Sequence, residues 1–278
     1  DWKNDKMNGK GTFVYSDGRK YDGDFRDDSF HGQGTFRYSN GSLYTGDWKN
    51  DKQEGHGTLT YLDGETYVGE WKNGKMSGDG IYTYTNGNSY DGKFLDGMKN
   101  GQGIFTFTNG NEYVGAWKND KKNGQGTFIY SNGENYIGEW KNGKMEGHGT
   151  FNFKNGDQYE GDWKDDQAHG QGTFRYSTGN TYVGELKKDK RDGRGTINYL
   201  NGDSYDGDWK NDHVHGEGIF TNAAGDKYEG DWKNDKKDGQ GIFISQIGDR
   251  YEGDWKNDKM NGKGTFVYSD GRKYDGDF

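Results

Sequence analysis

Along this chain the aromatic residues and glycines return on a fixed 23-residue clock, and polar residues fill the intervals. With Tyr21 taken as position 1, Gly falls at positions 3, 12, 14 and 21, as in Gly23, Gly32, Gly34 and Gly41. The remaining glycines, Gly74, Gly97 and Gly143, share position 8. Of the Phe, Trp and Tyr residues only Phe30 lies off positions 1, 5, 16 and 18, and every Trp sits at position 5. A period of this length, held without insertions, marks a repeat array.

In the repeat 113–135, Tyr113, Gly115 and Trp117 alternate with Val114 and Ala116. Gly124, Gly126, Phe128 and Tyr130 then alternate with Gln125, Thr127 and Ile129. Two alternating runs joined by a polar loop over 118–123 predict a β-hairpin. Ser131, Asn132 and Gly133 predict the tight turn into the next strand. No segment has helical spacing, and this much glycine penalises a helix. The expected fold is therefore all-β: an elongated, twisted, single-layer antiparallel sheet of tandem β-hairpins, open at its ends. At about 9–10 Å per hairpin, the array would be on the order of 100 Å long.

The alternation assigns the glycines and rings of both runs to one face, where Gly is a bare bed for the rings. A thin sheet would leave those rings partly uncovered, which makes this groove the expected face for assembly or lipid. Its candidate residues are Tyr44, Trp48, Tyr67, Trp71, Tyr113, Trp117, Phe128, Tyr130, Tyr136, Trp140, Tyr159, Trp163, Trp209, Trp232 and Trp255. On the other face, position 4 is nearly always acidic, as in Asp47, Glu70 and Asp162. Position 6 supplies a basic rail: Lys49, Lys72, Lys118, Lys141, Lys164, Lys210, Lys233 and Lys256. These rows read first as a solvated surface with weak cross-strand pairs, and second as a track for phosphate or acidic lipid headgroups.

The Tyr-x-Gly-x-Trp run, the Lys/Asn-rich loop, the Gly-x-Gly-x-Phe-x-Tyr run and the Asn-Gly turn resemble the MORN repeat (membrane occupation and recognition nexus). The resemblance covers the whole chain: a partial repeat over 1–20, eleven full repeats over 21–273 and a partial repeat over 274–278, read as one continuous array. It implies an extended sheet of hairpins with an aromatic groove and a scaffolding or docking role, with lipid binding often proposed. Departures are few. Leu186 replaces Trp at position 5, and Asn222 and Ser245 replace the aromatic at position 18, which predicts a thinner groove over 205–250.

A second period overlies the first. Residues 1–25 are identical to 254–278, an offset of 253 residues, or eleven repeats. Three explanations stay open: a giant tandem array, a subunit that joins head to tail, and an artificial duplication.

Composition then limits the chemistry. With 27% hydrophobic residues and a mean hydropathy of −1.36, no thick core is available. Aromatics at 16% argue against disorder, so order comes from many local ring contacts. The net charge of −9 argues against nucleic acid as a partner. There is no Cys and no apolar run of transmembrane length. The six histidines are placed in or beside the polar loops, with His213 and His215 a weak metal pair at most. No cofactor, resident metal or catalytic set is expected. The function expected is a rod, filament or scaffold that associates with itself, with other proteins as further partners and a lipid-binding adaptor as the alternative. Location stays open between an extracellular or surface filament and a cytoplasmic cytoskeletal scaffold.

Overall fold

The computed structural model describes residues 2–278, which are all-β, in tandem antiparallel hairpins with no helix among them. Two compact units divide the chain, 1–143 and 144–278. In each, a seven-residue strand such as Glu112–Lys118 pairs with the nine-residue strand that follows, here Lys121–Ile129. The long strand pairs in turn with the next short one, Asn135–Lys141. Among the described residues no strand pair closes either unit into a barrel: Gly9–Val14 pairs with Lys20–Arg26, and Lys273–Asp277 with Lys259–Val267.

The loop predicted over 118–123 shrinks to two residues. Asn119 and Asp120 have φ of 48° and 65°, the left-handed pair that suits a two-residue hairpin in a twisted sheet. Polar residues expected in the loop belong instead to the long strand, as do all six histidines. The second run also ends one residue early, at Ile129, and Tyr130 opens the following turn.

The long strand carries polar residues without losing register because it bulges. Gly46 pairs with Gly57, but Trp48 pairs with Gln53, so the long strand carries the extra residues. Gly55 lies in this bulge with φ of +71°. A Cβ there would sit 2.6 Å from Asp47 Oδ2. Glycine at position 12 therefore faces the acidic row rather than the rings, which corrects its assignment to the aromatic face. The carboxylate of Asp47 accepts the N–H of His56 at 2.8 Å, and Asp208 and Asp231 treat Glu217 and Gln240 alike at 3.1 and 2.8 Å. The acidic row is thus a set of clamps on bulged backbone, more than the weak cross-strand pairing expected.

Glycines at positions 3 and 14 form the bed. Gly115 and Gly126 pair across strands, and a Cβ on Gly126 would come 2.6 Å from Cε2 and Cζ of Tyr113. The Tyr113 ring lies flat over both, and its hydroxyl donates to the Ala116 carbonyl at 3.0 Å.

Candidate functional site: the aromatic face

Position 1 and position 5 rings form a ladder. Tyr113 meets Trp117 edge-on at 5.2 Å and Trp140 of the next repeat at 5.3 Å. Each pair of this kind adds about 0.5–1.5 kcal/mol beyond area burial. The indole N–H of Trp140 donates to the Gly126 carbonyl at 3.2 Å, and Trp48 does the same to Gly34 at 3.1 Å. These contacts join one repeat to the next.

The structure corrects the expectation of uncovered rings. Tyr44, Tyr67, Tyr113 and Tyr136 are fully buried, and Tyr159 nearly so. Trp48, Trp71, Trp117, Trp140, Trp163, Trp209, Trp232 and Trp255 are also buried, as is Phe128. Tyr130 is half-buried. The physical reason is the ladder itself, because each ring is walled by the rings of neighbouring repeats and roofed by position 10.

Position 10 is the part sequence reasoning missed. Lys122 Nζ lies 3.6 Å from the Trp140 ring centroid and 4.7 Å from that of Phe128. Lys99 stands over Trp117 at 4.9 Å, Lys237 over Trp255 at 5.0 Å and Arg191 over Trp209 at 4.1 Å. Each lysine sits in a cage of position 1, position 16 and the next position 5, and Arg191 between Tyr182 and Trp209 with Ile197 at position 16, which favours the cation through the ring faces. Burial holds the Lys99 and Lys237 amines below their ordinary range. Phe30, the one aromatic off the clock, occupies the same seat and stacks on Tyr21 at 3.8 Å.

Position 8 was missed too. Its alphabet is Asp or Gly, which was the available signal. The Asp120 N–H donates to the Lys99 carbonyl at 3.1 Å, and Asp120 Oδ1 accepts the Lys99 N–H at 2.8 Å. On the far edge Asn111 Oδ1 accepts the Ser131 N–H at 2.9 Å. Replacing Asp120 by Ala leaves the Lys99 N–H unpaired and keeps a Cβ at φ of 65° without the side-chain hydrogen bond that offsets it, for an expected loss of about 2 kcal/mol. Replacing it by Gly relieves the φ and should cost about half as much. Urea titrations followed by Trp fluorescence check the order; equal losses would contradict it.

The basic rail is exposed throughout: Lys49, Lys72, Lys118, Lys141, Lys164, Lys210, Lys233 and Lys256 all point to solvent. Several face another lysine across the turn, as Lys49 does Lys52 and Lys118 does Lys121. His213 Nδ1 lies 2.5 Å from Asp235 Oδ2, and among the described residues no group of three His, Asp or Glu donors converges. Also among them, no helix is long and apolar enough to cross a membrane.

The MORN repeat model matches the chain twelve times, from 1–18 and 21–43 through 228–250 and 251–271. The chain belongs to the MORN repeat family. A search of curated protein sequences returned no match. Among solved structures, the array is similar to the TCP10 domain of Danio rerio CPAP in complex with a STIL peptide: 9% identity, 81% of this chain and 96% of that one, TM-score 0.42. It is similar to the SAS-4 TCP domain of Drosophila melanogaster in complex with a proline-rich motif of Ana2: 15% identity, 56% and 85% covered, TM-score 0.37. Virginiamycin B lyase from Staphylococcus aureus follows at 10% identity, 99% and 86% covered, TM-score 0.15. Likenesses at these TM-scores say nothing about function. The MORN hairpins, with their clamped bulges and ring ladder, supply the functional reading below.

Proposed function

We infer that this MORN array is a non-catalytic scaffold. Its repeats continue end to end, and its aromatic face receives protein partners. One observation carries the continuation: within each unit, neighbouring repeats are completed by the same ladder and by the same bond from the position 8 N–H to the position 10 carbonyl. A hairpin of this kind cannot bury its rings alone, so a neighbour is part of its fold. The 253-residue identity supports continuation of one copy's register into the next. Anionic lipid is the second reading, favoured by the paired lysines at the hairpin tips. It ranks lower because most tips also carry carboxylates and the net charge is −9.

Sedimentation velocity over a wide concentration range tests the continuation. Species growing with concentration, and continuous fibres in electron micrographs, are expected. A single 31.5 kDa species at every concentration would overturn head-to-tail assembly.

A further inference from the structure

One seat on the aromatic face is empty. Position 10 of the repeat 159–181 is Ala168, and the position 5 residue it should cover, 18 residues on, is Leu186. Roof and floor are truncated together, where Lys122 and Trp140 or Arg191 and Trp209 stand elsewhere. The result is an open cavity of 420 Å³ whose walls include Tyr159, Phe174, Phe153 and Trp163, with Asp166 and Asp189 at its rim. Tyr159 and Phe174 are the position 1 and position 16 walls that hold the ammonium in the Lys99, Lys122 and Lys237 cages. Phe153 and Phe174 are half-buried, so the cavity is reachable from solvent.

We propose that this cavity binds a lysine or arginine side chain presented by an extended segment of a partner protein. The template is internal. In the next repeat Arg191 fills the equivalent seat, its Nε 3.3 Å from Asp212 Oδ1 and its Nη2 2.8 Å from the Asp212 carbonyl. Asp189 is the counterpart of Asp212, and its Oδ1 already holds the Ala168 N–H at 2.7 Å. The partner's alkyl stem takes the place of the missing roof over Leu186, and its charged head takes the place of the Arg191 guanidinium between rings and carboxylate. Asp166 and Asp189 each hold a backbone N–H, of Met145 and Ala168, and a purely apolar anchor would add nothing to offset their charge; a cationic one matches both halves of the cavity. This deepens the scaffold reading by naming the chemistry of one partner. The two fail separately, since sedimentation reads continuation and the titration below reads the seat.

The test is an NMR titration of the full chain with N-acetyl-arginine amide, followed at the Trp163 indole N–H, which lies against the cavity and donates to the Gly149 carbonyl at 3.1 Å. A saturable shift is expected. The citrulline analogue, equal in shape and uncharged, should bind about tenfold more weakly. Ala168→Arg, which fills the seat from within, should abolish saturation. Asp189→Asn keeps the oxygen that holds the Ala168 N–H and should weaken arginine about threefold. This variant decides the matter if Ala168→Arg folds poorly. Equal binding of citrulline would assign an apolar or neutral occupant and overturn the proposal. So would the absence of saturation, or saturation that persists in a folded Ala168→Arg chain.

Discussion

Raising the pH above about 10 should melt the array abruptly, with the fold and the tyrosine hydroxyls titrating together. Tyr21, Tyr44, Tyr67, Tyr90, Tyr113, Tyr159, Tyr182, Tyr205 and Tyr228 all have their phenols pushed well above the ordinary value of 10.0, chiefly by burial. Tyr84 is pushed up to about 12 by the same cause. The folded state keeps these groups neutral, whereas the unfolded chain ionises them from pH about 10. Stability is therefore complete below that pH and is lost as pH climbs toward the folded values. Each such tyrosine removes about 1.4 kcal/mol per pH unit in that window. Nine acting together remove, within about one unit, an amount comparable with the 5–15 kcal/mol typical of a domain. Circular dichroism and tyrosinate absorbance, followed against pH, should change steeply and at the same midpoint. Tyr113→Phe removes one ionising group and should make the transition shallower. Tyrosines that titrate one by one near pH 10 in an intact sheet would refute this account.

The second large effect is expected at the glycine bed. Gly126→Ala puts a methyl 2.6 Å from two ring carbons of Tyr113, whose φ-independent clash can be relieved only by moving the ring. Tyr113 is fully buried and holds edge contacts with both Trp117 and Trp140. Expelling it should cost about 3–5 kcal/mol, the scale of losing a large buried ring. Gly133→Ala offers the contrast. Nothing lies within 4 Å of its added methyl, and the cost comes from φ of +94° alone, about 1–2 kcal/mol. Thermal and urea unfolding of both variants should preserve that order. A Gly126→Ala protein as stable as the parent would mean that the ring does not need bare backbone beneath it.

Much of this was legible beforehand. The alternation of Tyr113, Gly115 and Trp117, and the turn at Gly133, give the hairpins and the glycine bed correctly, because period and glycine placement are local. What failed was anything that depends on register. The bulge at Gly55 changes which face position 12 presents, and a single alternating pattern cannot show that. The polar stretch 118–123 read as a loop, because Asn119 and Asp120 alone make the turn and the sequence gives no sign of where pairing resumes. The covering of Trp140 by Lys122 also stayed hidden: the two stand 18 residues apart and meet only once neighbouring repeats are laid side by side. For the same reason the thinner groove was expected over 205–250, from Asn222 and Ser245, while the cavity with both roof and floor truncated lies at Ala168 and Leu186.

The position 10 seats have a consequence for how such a chain can change. The backbone around each one is fixed by tyrosine, glycine and a position 8 Asp or Gly, so its occupant can vary from Phe30 to Gln53, Met76, Lys99 or Ala168 without altering a strand. Each hairpin thereby carries one editable socket on an invariant frame. New specificities could then accumulate one residue at a time, and independently along the row.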